Sequence, residues 1–488
     1  MRTAEPQEEA PLTFSYEEAS VERHYLRATL EFQAVFTAGF LWYATTTHKN
    51  WQVDYSWPVF RKKVSGHAFG LDTNHFGTNF IGHPLGGTGY YLSARGNRLS
   101  ILSSFGFAVA GSGLWELFGE VGEIISTNDS IVTPLAGLAI GEPLTQLGAF
   151  FDRSSPSDLH RTLGSVFGPF KSLNDRLDGV HVRRSGRYDA LGFPTNEWHR
   201  FELGASAALT VQEAGQGHGE AHFPEGRIEL SSELARLTGY SSKAKRNEWF
   251  SEANLSNLSL ELAIGSAGVS DAWFTSRAVL FGHYYRHAVQ TERSLEGGGV
   301  ALGLATGFSY AVHDFSRQEP GPRDRIAGVR PAGLVVASHV ATSGIDISSE
   351  LDAGPDFSGI TPLALAGYLS TAEVSALPPV LQLRSYYFGA GYHVTSLLRA
   401  RRGAVELRGR LRNDQFWGLT GTRGMRSLDS GVPFRDLRSV GDVRFGYYIA
   451  PHGAFTLDLQ KRLRLGWAGA ARAKAAEWSL GLGFQGVL

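Results

Sequence analysis

Hydrophobic and polar positions alternate along most of the C-terminal half of the chain. One such segment places Phe455, Leu457 and Leu459 on one face and Thr456 and Asp458 on the other. Strict alternation is the period of a β-strand, whose successive side chains point to opposite sides of a sheet. The C-terminal half is therefore predicted to be an antiparallel β structure.

The alternating segments are long for a soluble protein. Counting them predicts about twelve strands, near residues 201–212, 226–237, 255–266, 273–286, 299–314, 331–341, 343–353, 380–394, 402–412, 437–449, 454–467 and 476–488. Soluble strands are usually ~5–6 residues long, whereas a tilted strand needs about 10 to cross a bilayer. Aromatic residues such as Trp417 and Trp478 recur near segment ends, as an interfacial girdle requires. These features favour a transmembrane β-barrel over the alternative, a soluble β-sandwich.

The N-terminal half has a different period. Residues 25–47, 99–125, 131–151 and 158–178 are predicted helices rich in small residues. Gly137 and Gly141 form a small-xxx-small face, which lets helix backbones approach closely. We therefore expect a mixed, mainly β fold. Residues 1–24 are predicted to be a flexible acidic tail, 25–185 a Gly-rich helical domain that plugs or caps the barrel lumen, and 186–488 the barrel.

Composition excludes several classes of function. The 488 residues include 46 Lys and Arg against 47 Asp and Glu, so a net charge of −1 gives no basis for steering nucleic acid. There is no cysteine, which removes disulfides, thiolate metal ligands and a cysteine nucleophile. The sequence also lacks a Walker loop, a dinucleotide fingerprint and a Gly-x-Ser-x-Gly elbow.

An ordered set of motifs lies between residues 70 and 145. It comprises Asn79, Gly82, His83, Pro84, Gly87, Tyr90, Tyr91, Ala94 and Arg95, then Trp115, Glu116, Gly119 and Glu120, then Ser126, Asn128, Asp129, Gly137, Gly141 and Glu142. This string resembles an uncharacterised family of bacterial envelope proteins, catalogued as a domain of unknown function. A looser likeness links 116–141 to VanZ-like and small periplasmic lipoprotein helices. The resemblance implies an envelope setting and no established activity.

Glu116, Glu120 and Glu123 fall on one face of a predicted helix. Like charges on one face repel unless cations neutralise them. In the structural interpretation they pair with Arg95 and Arg98, or with lumen arginines. Those lumen candidates are Arg384, Arg408, Arg410, Arg444, Arg462 and Arg464.

In the functional interpretation the same glutamates join His75, His83 and Asp129. Such a group would act as general acid and base or bind a hard divalent cation. Asn128 and Asp129 also stand where a helix N-terminus is expected, and capping alone explains their residue types. The structural interpretation is the favoured one, and no cofactor is expected.

The sequence thus predicts an integral protein of the bacterial outer membrane with a non-enzymatic role in binding, passage or assembly of envelope components. Its expected partners are outer-membrane lipid or lipopolysaccharide and other envelope proteins, with no nucleic acid. The alternative is a lumen-sited enzyme acting on lipid or lipopolysaccharide. A third option is a soluble periplasmic or extracellular β-protein.

Overall fold

The computed structural model describes most of the chain outside its N-terminal tail. The described residues are 22–46, 56–66, 69–120, 125–180, 187–213, 221–237, 240, 244–290, 295–315, 323–342, 344–370, 379–419 and 432–488. The predicted acidic tail and Glu123 therefore lie outside them, apart from residues 22–24.

Helices dominate the first part of the chain. They are α1 (Tyr25–Thr46), α2 (Trp57–Val64), α3 (His83–Gly96), α4 (Ile101–Leu114), α5 (Thr127–Arg153), α6 (Asp158–Phe167) and α7 (Pro169–Leu177), with α8 (Leu365–Leu369) and α9 (Pro379–Arg384) between later strands. π-Helical turns at Thr78–Gly82 and Trp115–Gly119 precede α3 and follow α4. Two short strands, β1 (Phe69–Gly70) and β2 (Ile125–Ser126), pair in parallel.

Among the described helices that the helical prediction missed, α3 is the longest. Its sequence contains Pro84 and glycines at 86, 87, 89 and 96, residues that individually disfavour helix interiors. Pro84 lies in the first turn, where its missing N–H costs nothing. Three of these glycines, at 87, 89 and 96, face neighbouring helices. A Cβ on Gly87 would lie 1.9 Å from the carbonyl oxygen of Thr133, and one on Gly137 would lie 2.5 Å from the carbonyl oxygen of Gly87. The predicted close approach of helix backbones is thus confirmed.

The remaining strands form one antiparallel sheet. They are β3 (Trp198–Gln212), β4 (Ala221–Ala235), β5 (Ala244–Phe250), β6 (Leu255–Gly265), β7 (Gly268–Gln290), β8 (Leu295–His313), β9 (Asp324–Thr342), β10 (Ile345–Ile360), β11 (Tyr387–Arg402), β12 (Val405–Gly418), β13 (Phe434–Ala450), β14 (Gly453–Ala468) and β15 (Ala471–Val487). Pairing of β7 with β8 and of β15 with β3 closes the sheet into a barrel.

The predicted count of twelve strands is confirmed. The strands β5 and β6 occupy successive stretches beside β7, so they fill a single position in the ring. The predicted strand 380–394 is partly wrong, because Pro379–Arg384 forms helix α9 and β11 begins at Tyr387. A short apolar run does not separate a helical turn from a strand by its period alone.

The two ends of the barrel differ in their connections. At the end where β3 begins and β15 finishes, adjacent strands are joined by short turns such as those at 403–404 and 451–452. Many more residues separate β10 from β11 and β12 from β13, and those strand ends lie at the opposite end of the barrel. We call these the turn end and the loop end. In bacterial outer-membrane barrels the short turns face the periplasm and the long loops face outward.

The two faces of the wall have opposite chemistry. Arginines and carboxylates point into the lumen, whereas large apolar side chains such as Leu203, Leu457 and Leu482 point outward and are exposed. Outward apolar residues around a closed antiparallel sheet are the lipid-facing pattern of a membrane barrel.

Ion pairs cross the lumen from wall to wall. Arg399 of β11 pairs with Glu233 of β4 at 2.8 Å, and Arg410 of β12 pairs with Glu261 of β6 at 2.6 Å. Each of these pairs joins strands six positions apart in the ring of twelve. Opposite walls are therefore connected directly through the middle of the barrel.

Apolar side chains fill the lumen on both sides of these ion pairs. Toward the turn end, the cluster comprises Trp198, Ala235, Leu237, Tyr240, Phe250, Leu255, Val279, Tyr284, Ala301, Ala305 and Val335. Toward the loop end, Leu381 and the α8 segment pack against inward residues such as Phe416 and Phe434. The cavities that remain along the lumen have volumes of about 60, 130 and 190 Å³.

The helical domain lies against the outer face of the wall, so the prediction that it plugs or caps the lumen is corrected. Ser276 points outward, because its neighbour Arg277 points into the lumen, and its hydroxyl donates to the carbonyl oxygen of Ala139 in α5 at 2.6 Å. The outward residues Phe308 and Val329 are buried beneath the same helix. Charged side chains of the wall occupy the lumen. The helical domain therefore packs on the outer face of the barrel.

Candidate functional site

Buried polar side chains gather where the helical domain meets the loop end of the barrel. Their elements are the segment before α3, the π-helical turn after α4 and the first turn of α5. We call this group the loop-end polar cluster, and it comprises Lys63, Asp72, Asn79, His83, Glu116, Glu120, Asn128 and Asp129. Tyr386, just before β11, joins it to the barrel: its hydroxyl accepts from Asn79 at 2.9 Å.

Asp129 and His83 form the centre of this cluster. His83 Nε2 lies 3.3 Å from Asp129 Oδ2, and its Nδ1 lies 3.3 Å from the hydroxyl of Thr133. Asn128 Nδ2 donates to Asp129 Oδ1 at 3.0 Å, while Asn128 Oδ1 accepts from the backbone N–H of Asp72. The segment before α3 is therefore tied to the start of α5.

The capping prediction for this helix start is confirmed with a shift of position. The hydroxyl of Ser126 accepts from the backbone N–H of Asp129 at 3.1 Å, so Ser126 is the N-cap of α5. Asn128 and Asp129 stand inside the first turn, where a carboxylate interacts favourably with the positive end of the helix dipole.

Glu116 and Glu120 lie on and beside the π-helical turn that ends α4. Glu116 Oε2 accepts from the backbone N–H of Ser126 at 2.6 Å, and Glu120 Oε1 accepts from the indole N–H of Trp115 at 3.1 Å. The ammonium of Lys63 donates to the backbone carbonyls of both glutamates. A buried cation from α2 therefore contacts the backbone of both glutamates.

Glu116, Glu120 and Asp129 each place a carboxylate oxygen within 4.8 Å of the others, close enough to share a small cation. Hard oxygen ligands of this kind suit Mg²⁺ or Ca²⁺. The Lys63 ammonium already supplies positive charge beside two of them. The expected absence of a cofactor stays a prediction.

The structure separates His75 from this cluster. His75 is exposed in the segment before α3, and its pKa is lowered by partial burial and by the nearby Arg384 guanidinium. Arg384 donates to the backbone carbonyl of Thr73 at 2.8 Å. Burial, together with the charge of Asp72, raises the pKa of the Tyr386 phenol.

The predicted arginine partners of the glutamates are wrong. Arg95 pairs with Glu142 at 2.9 Å, and Arg98 pairs with Asp175 and Asp178 at 2.8 and 2.7 Å. Five of the six proposed lumen arginines, all except Arg384, bind acids of the barrel wall: Arg408 with Glu202 and Glu229, Arg410 with Glu261 and Asp442, Arg444 with Glu229 and Asp458, Arg462 with Asp271, and Arg464 with Asp324 and Asp436. The wall separates them from Glu116 and Glu120.

No partner for Glu142 was predicted from the sequence, but in the structure it accepts hydrogen bonds from several side chains. It is fully buried in α5, accepting from Arg95, from the Tyr91 hydroxyl at 2.6 Å and from Gln146 at 2.6 Å. Both Tyr91 and Arg95 belong to α3, so this network binds the two central helices. In the sequence, the sign of this network was that Tyr91, Arg95 and Glu142 belong to the same set of motifs.

A second ion cluster closes the helical domain at the turn end. Asp178, which follows α7, accepts from Arg27 of α1 at 2.6 Å and from Arg98 at 2.7 Å. The Arg27 hydrogen bond is the main cause of a pKa for Asp178 well below its usual range, and Arg98 adds to it. One carboxylate thus holds α1, the α3–α4 connection and α7 together.

Replacing Asp178 with Asn is expected to lower the stability of the helical domain by about 1.5–3 kcal/mol at pH 7, the range for hydrogen bonds to charged groups. Because its pKa is depressed by folding, the carboxylate stabilises the fold above about pH 4, its unfolded pKa, and loses that effect as the pH falls further. Thermal unfolding followed at 222 nm should show a difference between parent and variant that shrinks below pH 4. A difference unchanged down to pH 2 would contradict this assignment.

Similar solved structures are membrane barrels. They include an anion-selective porin from Comamonas acidovorans, at 8% identity over 60% of this chain and 99% of that chain with a TM-score of 0.22. The translocator domain of the autotransporter NalP from Neisseria meningitidis is 8% identical over 58% of this chain and 88% of its own, with a TM-score of 0.21. These TM-scores are too low to support the barrel topology, which is therefore taken from the strand pairings of this chain.

Comparison by sequence matches part of the helical domain to a family model. No curated protein matches the chain. The looser likeness to VanZ-like helices stays a prediction. Residues 68–170, which carry α3 to α6, match a family described as a domain of unknown function (DUF3943), in agreement with the resemblance to an uncharacterised family.

Proposed function

We propose that this protein is a closed barrel of the bacterial outer membrane with a non-enzymatic role. That role is the binding or assembly of envelope components, and not the passage of solutes through the lumen. The single observation that carries the proposal is the filled lumen. Apolar clusters occupy both ends, and ion pairs such as Arg399–Glu233 join opposite walls between them. A pathway for solutes would require these layers to move.

The energetics of the charged layer favour a lumen that stays closed. Arg408 and Glu202 are 7% and 1% exposed, and Arg408 contacts Glu229 as well. Separating such buried partners leaves each charge without compensation, which costs about 3–5 kcal/mol per pair. Several pairs share the same layer, so opening it costs far more than thermal energy.

The lumen-sited enzyme has less support. Its candidate residues Glu116, Glu120, His83 and Asp129 pack within the helical domain, on the other side of the barrel wall. Acids of the lumen pair with basic residues of the wall, as in Arg444–Glu229, Arg462–Asp271 and His313–Glu477. A barrel that anchors a helical domain in the envelope fits these contacts better. The expected partners are then membrane lipid, lipopolysaccharide or other envelope proteins.

The closed state is tested by conductance. Purified protein inserted into planar lipid bilayers is expected to give no steady single-channel current, whereas an open porin at the same protein-to-lipid ratio gives clear steps. A heat-modifiable band on an unboiled gel and a requirement for detergent should accompany this result. Regular ohmic steps from the parent protein would overturn the closed-barrel proposal, and solubility without detergent would overturn the membrane location.

A further inference from the structure

We infer that the helical domain lies inside the same bilayer as the barrel, with its outer face against lipid acyl chains. This inference rests on the proposed membrane location of the barrel. It makes the protein a composite of strands and helices side by side in one membrane. The first argument is position: the helices cover part of the barrel surface that would otherwise face lipid.

Helix α5 follows the outer wall over its height. At the loop end its residues Val132 and Ala136 pack in one cluster with Phe388, the second residue of β11. At the turn end Phe150 packs against Phe201, near the start of β3. The helix has 27 residues and a length of about 40 Å, enough to cross a bilayer core of about 30 Å. A helix in this place lies at the depth of the lipid-facing belt.

Two other helical segments of the domain are also long enough to cross much of a bilayer. Helix α1 has 22 residues, about 33 Å, and its ends lie at opposite ends of the domain: His24 contacts Asp178, whereas Tyr43 contacts Trp115. The stretch Ile101–Gly119 is long and apolar enough to cross a membrane, with only 28% of that window buried. Its limited burial leaves most of an apolar helix facing outward.

Most charged side chains of the described helical domain lie at its two ends, and the pair between the ends is buried. The turn end carries the Arg27, Arg98 and Asp178 cluster, and the loop end carries Lys63 with Glu116, Glu120 and Asp129. Helix α4 contains no charged residue, and α1 has none after Glu31. Between the ends, Arg95 and Glu142 form a pair that is buried from solvent and hydrogen-bonded on both sides. Paired, inward-facing charges are the kind found within membrane proteins.

The outer surface between these ends is apolar. The exposed side chains of α1, α3 and α4 include Leu26, Leu30, Leu41, Trp42, Leu85, Leu102, Val109 and Leu114. Soluble monomers rarely expose so large a continuous apolar surface. This one adjoins outward barrel residues such as Phe281 and Leu302, which are also exposed. The two surfaces form one belt, and acyl chains are the occupant that suits both.

Helices α6 and α7 fit the edge of such a belt. They lie at the turn end, where Lys171 and Asp175 pair with each other and with neighbouring charges. Each helix still exposes apolar residues, Leu159 and Val166 in one and Leu173 and Leu177 in the other. Short helices with one charged and one apolar face lie at the membrane interface.

Depth-dependent quenching tests this placement, and the absence of cysteine makes single-site labelling clean. The variants Val109→Cys, Leu41→Cys, Leu480→Cys and Arg472→Cys are each labelled with bimane in proteoliposomes containing phosphatidylcholine brominated at mid-chain. Val109 and Leu41 report the helical domain, and Leu480 reports the exposed barrel belt. Arg472 reports an exposed position at the loop end, at the second residue of β15. Only variants that keep the heat-modifiable gel shift are compared.

We expect the labels on Val109→Cys and Leu41→Cys to be quenched within about twofold of Leu480→Cys, and several-fold more than Arg472→Cys. If Leu480→Cys is quenched while both helical positions behave like Arg472→Cys, the inference fails and the membrane barrel stands. If Leu480→Cys also escapes quenching, the proposed membrane location itself fails. Unquenched helical labels together with disulfide-linked dimers of Val109→Cys would assign the apolar face to a second copy of the chain and overturn the inference.

Discussion

Replacing Glu142 with Gln is expected to destabilise the helical domain by about 3–5 kcal/mol while the barrel keeps its heat-modifiable gel shift. The substitution leaves the Arg95 guanidinium, 3% exposed at the side chain, without its counter-charge inside the domain. Removing one partner of a buried ion pair carries a cost of this size. Circular dichroism at 222 nm during heating in detergent measures the helical transition, because the β-barrel contributes little change there before it unfolds.

Two controls isolate the charge from the shape of this site. The double variant Arg95→Met with Glu142→Met should be more stable than either single variant, because replacing both members of a buried pair with apolar residues is often nearly neutral. Glu31→Gln removes a carboxylate from the same domain that binds the amides of Asn97 and Asn174. It should have a much smaller effect. A helical transition for Glu142→Gln at the parent temperature would contradict the role assigned to this pair.

Replacing Arg464 with Gln is expected to have a comparable effect on the barrel itself. The Arg464 side chain is 1% exposed and contacts Asp436 at 2.7 Å and Asp324 at 3.2 Å. It also donates to the backbone carbonyl of Thr361 in the loop that closes the lumen. Its loss leaves two carboxylates together in a buried layer, so we expect a loss of about 3–5 kcal/mol in unfolding free energy.

Urea titration of the folded band on unboiled gels measures this loss. Arg472→Gln is the matched control, because it removes the same side chain at an exposed position, the second residue of β15. Adding Asp436→Asn to Arg464→Gln should recover part of the stability by removing one of the two stranded charges. A midpoint for Arg464→Gln equal to that of Arg472→Gln would show that the lumen charges do not stabilise the barrel.

Much of the barrel could be predicted from sequence because its physics is local. Each strand must present apolar atoms to lipid and polar atoms to the lumen, so a period of two repeats over lengths set by the bilayer. The pairing of the lumen charges could not be predicted in the same way. Arg399 and Glu233 are 166 positions apart in the chain, and only closure of the ring places them opposite each other.

The candidate site shows the same limit. The sequence brought forward His83, Glu116, Glu120 and Asp129, which the structure places in one buried cluster. It also grouped His75 and two arginines with them, because helical spacing says nothing about which neighbouring helix supplies a partner. Arg95 points to α5 and Arg98 to α7, and each meets a carboxylate there. Helix α3 was not predicted because its glycines disfavour a helix. Their packing against Thr133 and Phe170 is visible only in the tertiary structure.

The sequence by itself determined a twelve-strand membrane barrel preceded by a Gly-rich helical domain with an uncharacterised motif string. Those properties follow from periodicity, segment length and residue type. Only the tertiary structure showed which side chains occupy the lumen and that the helices lie on the outer wall. From the sequence alone, outward residues such as Ser276, Phe308 and Val329 could face either lipid or a helix, and in the structure they contact α5. Their role depends on which surface the chain brings to them, which is a property of the whole fold.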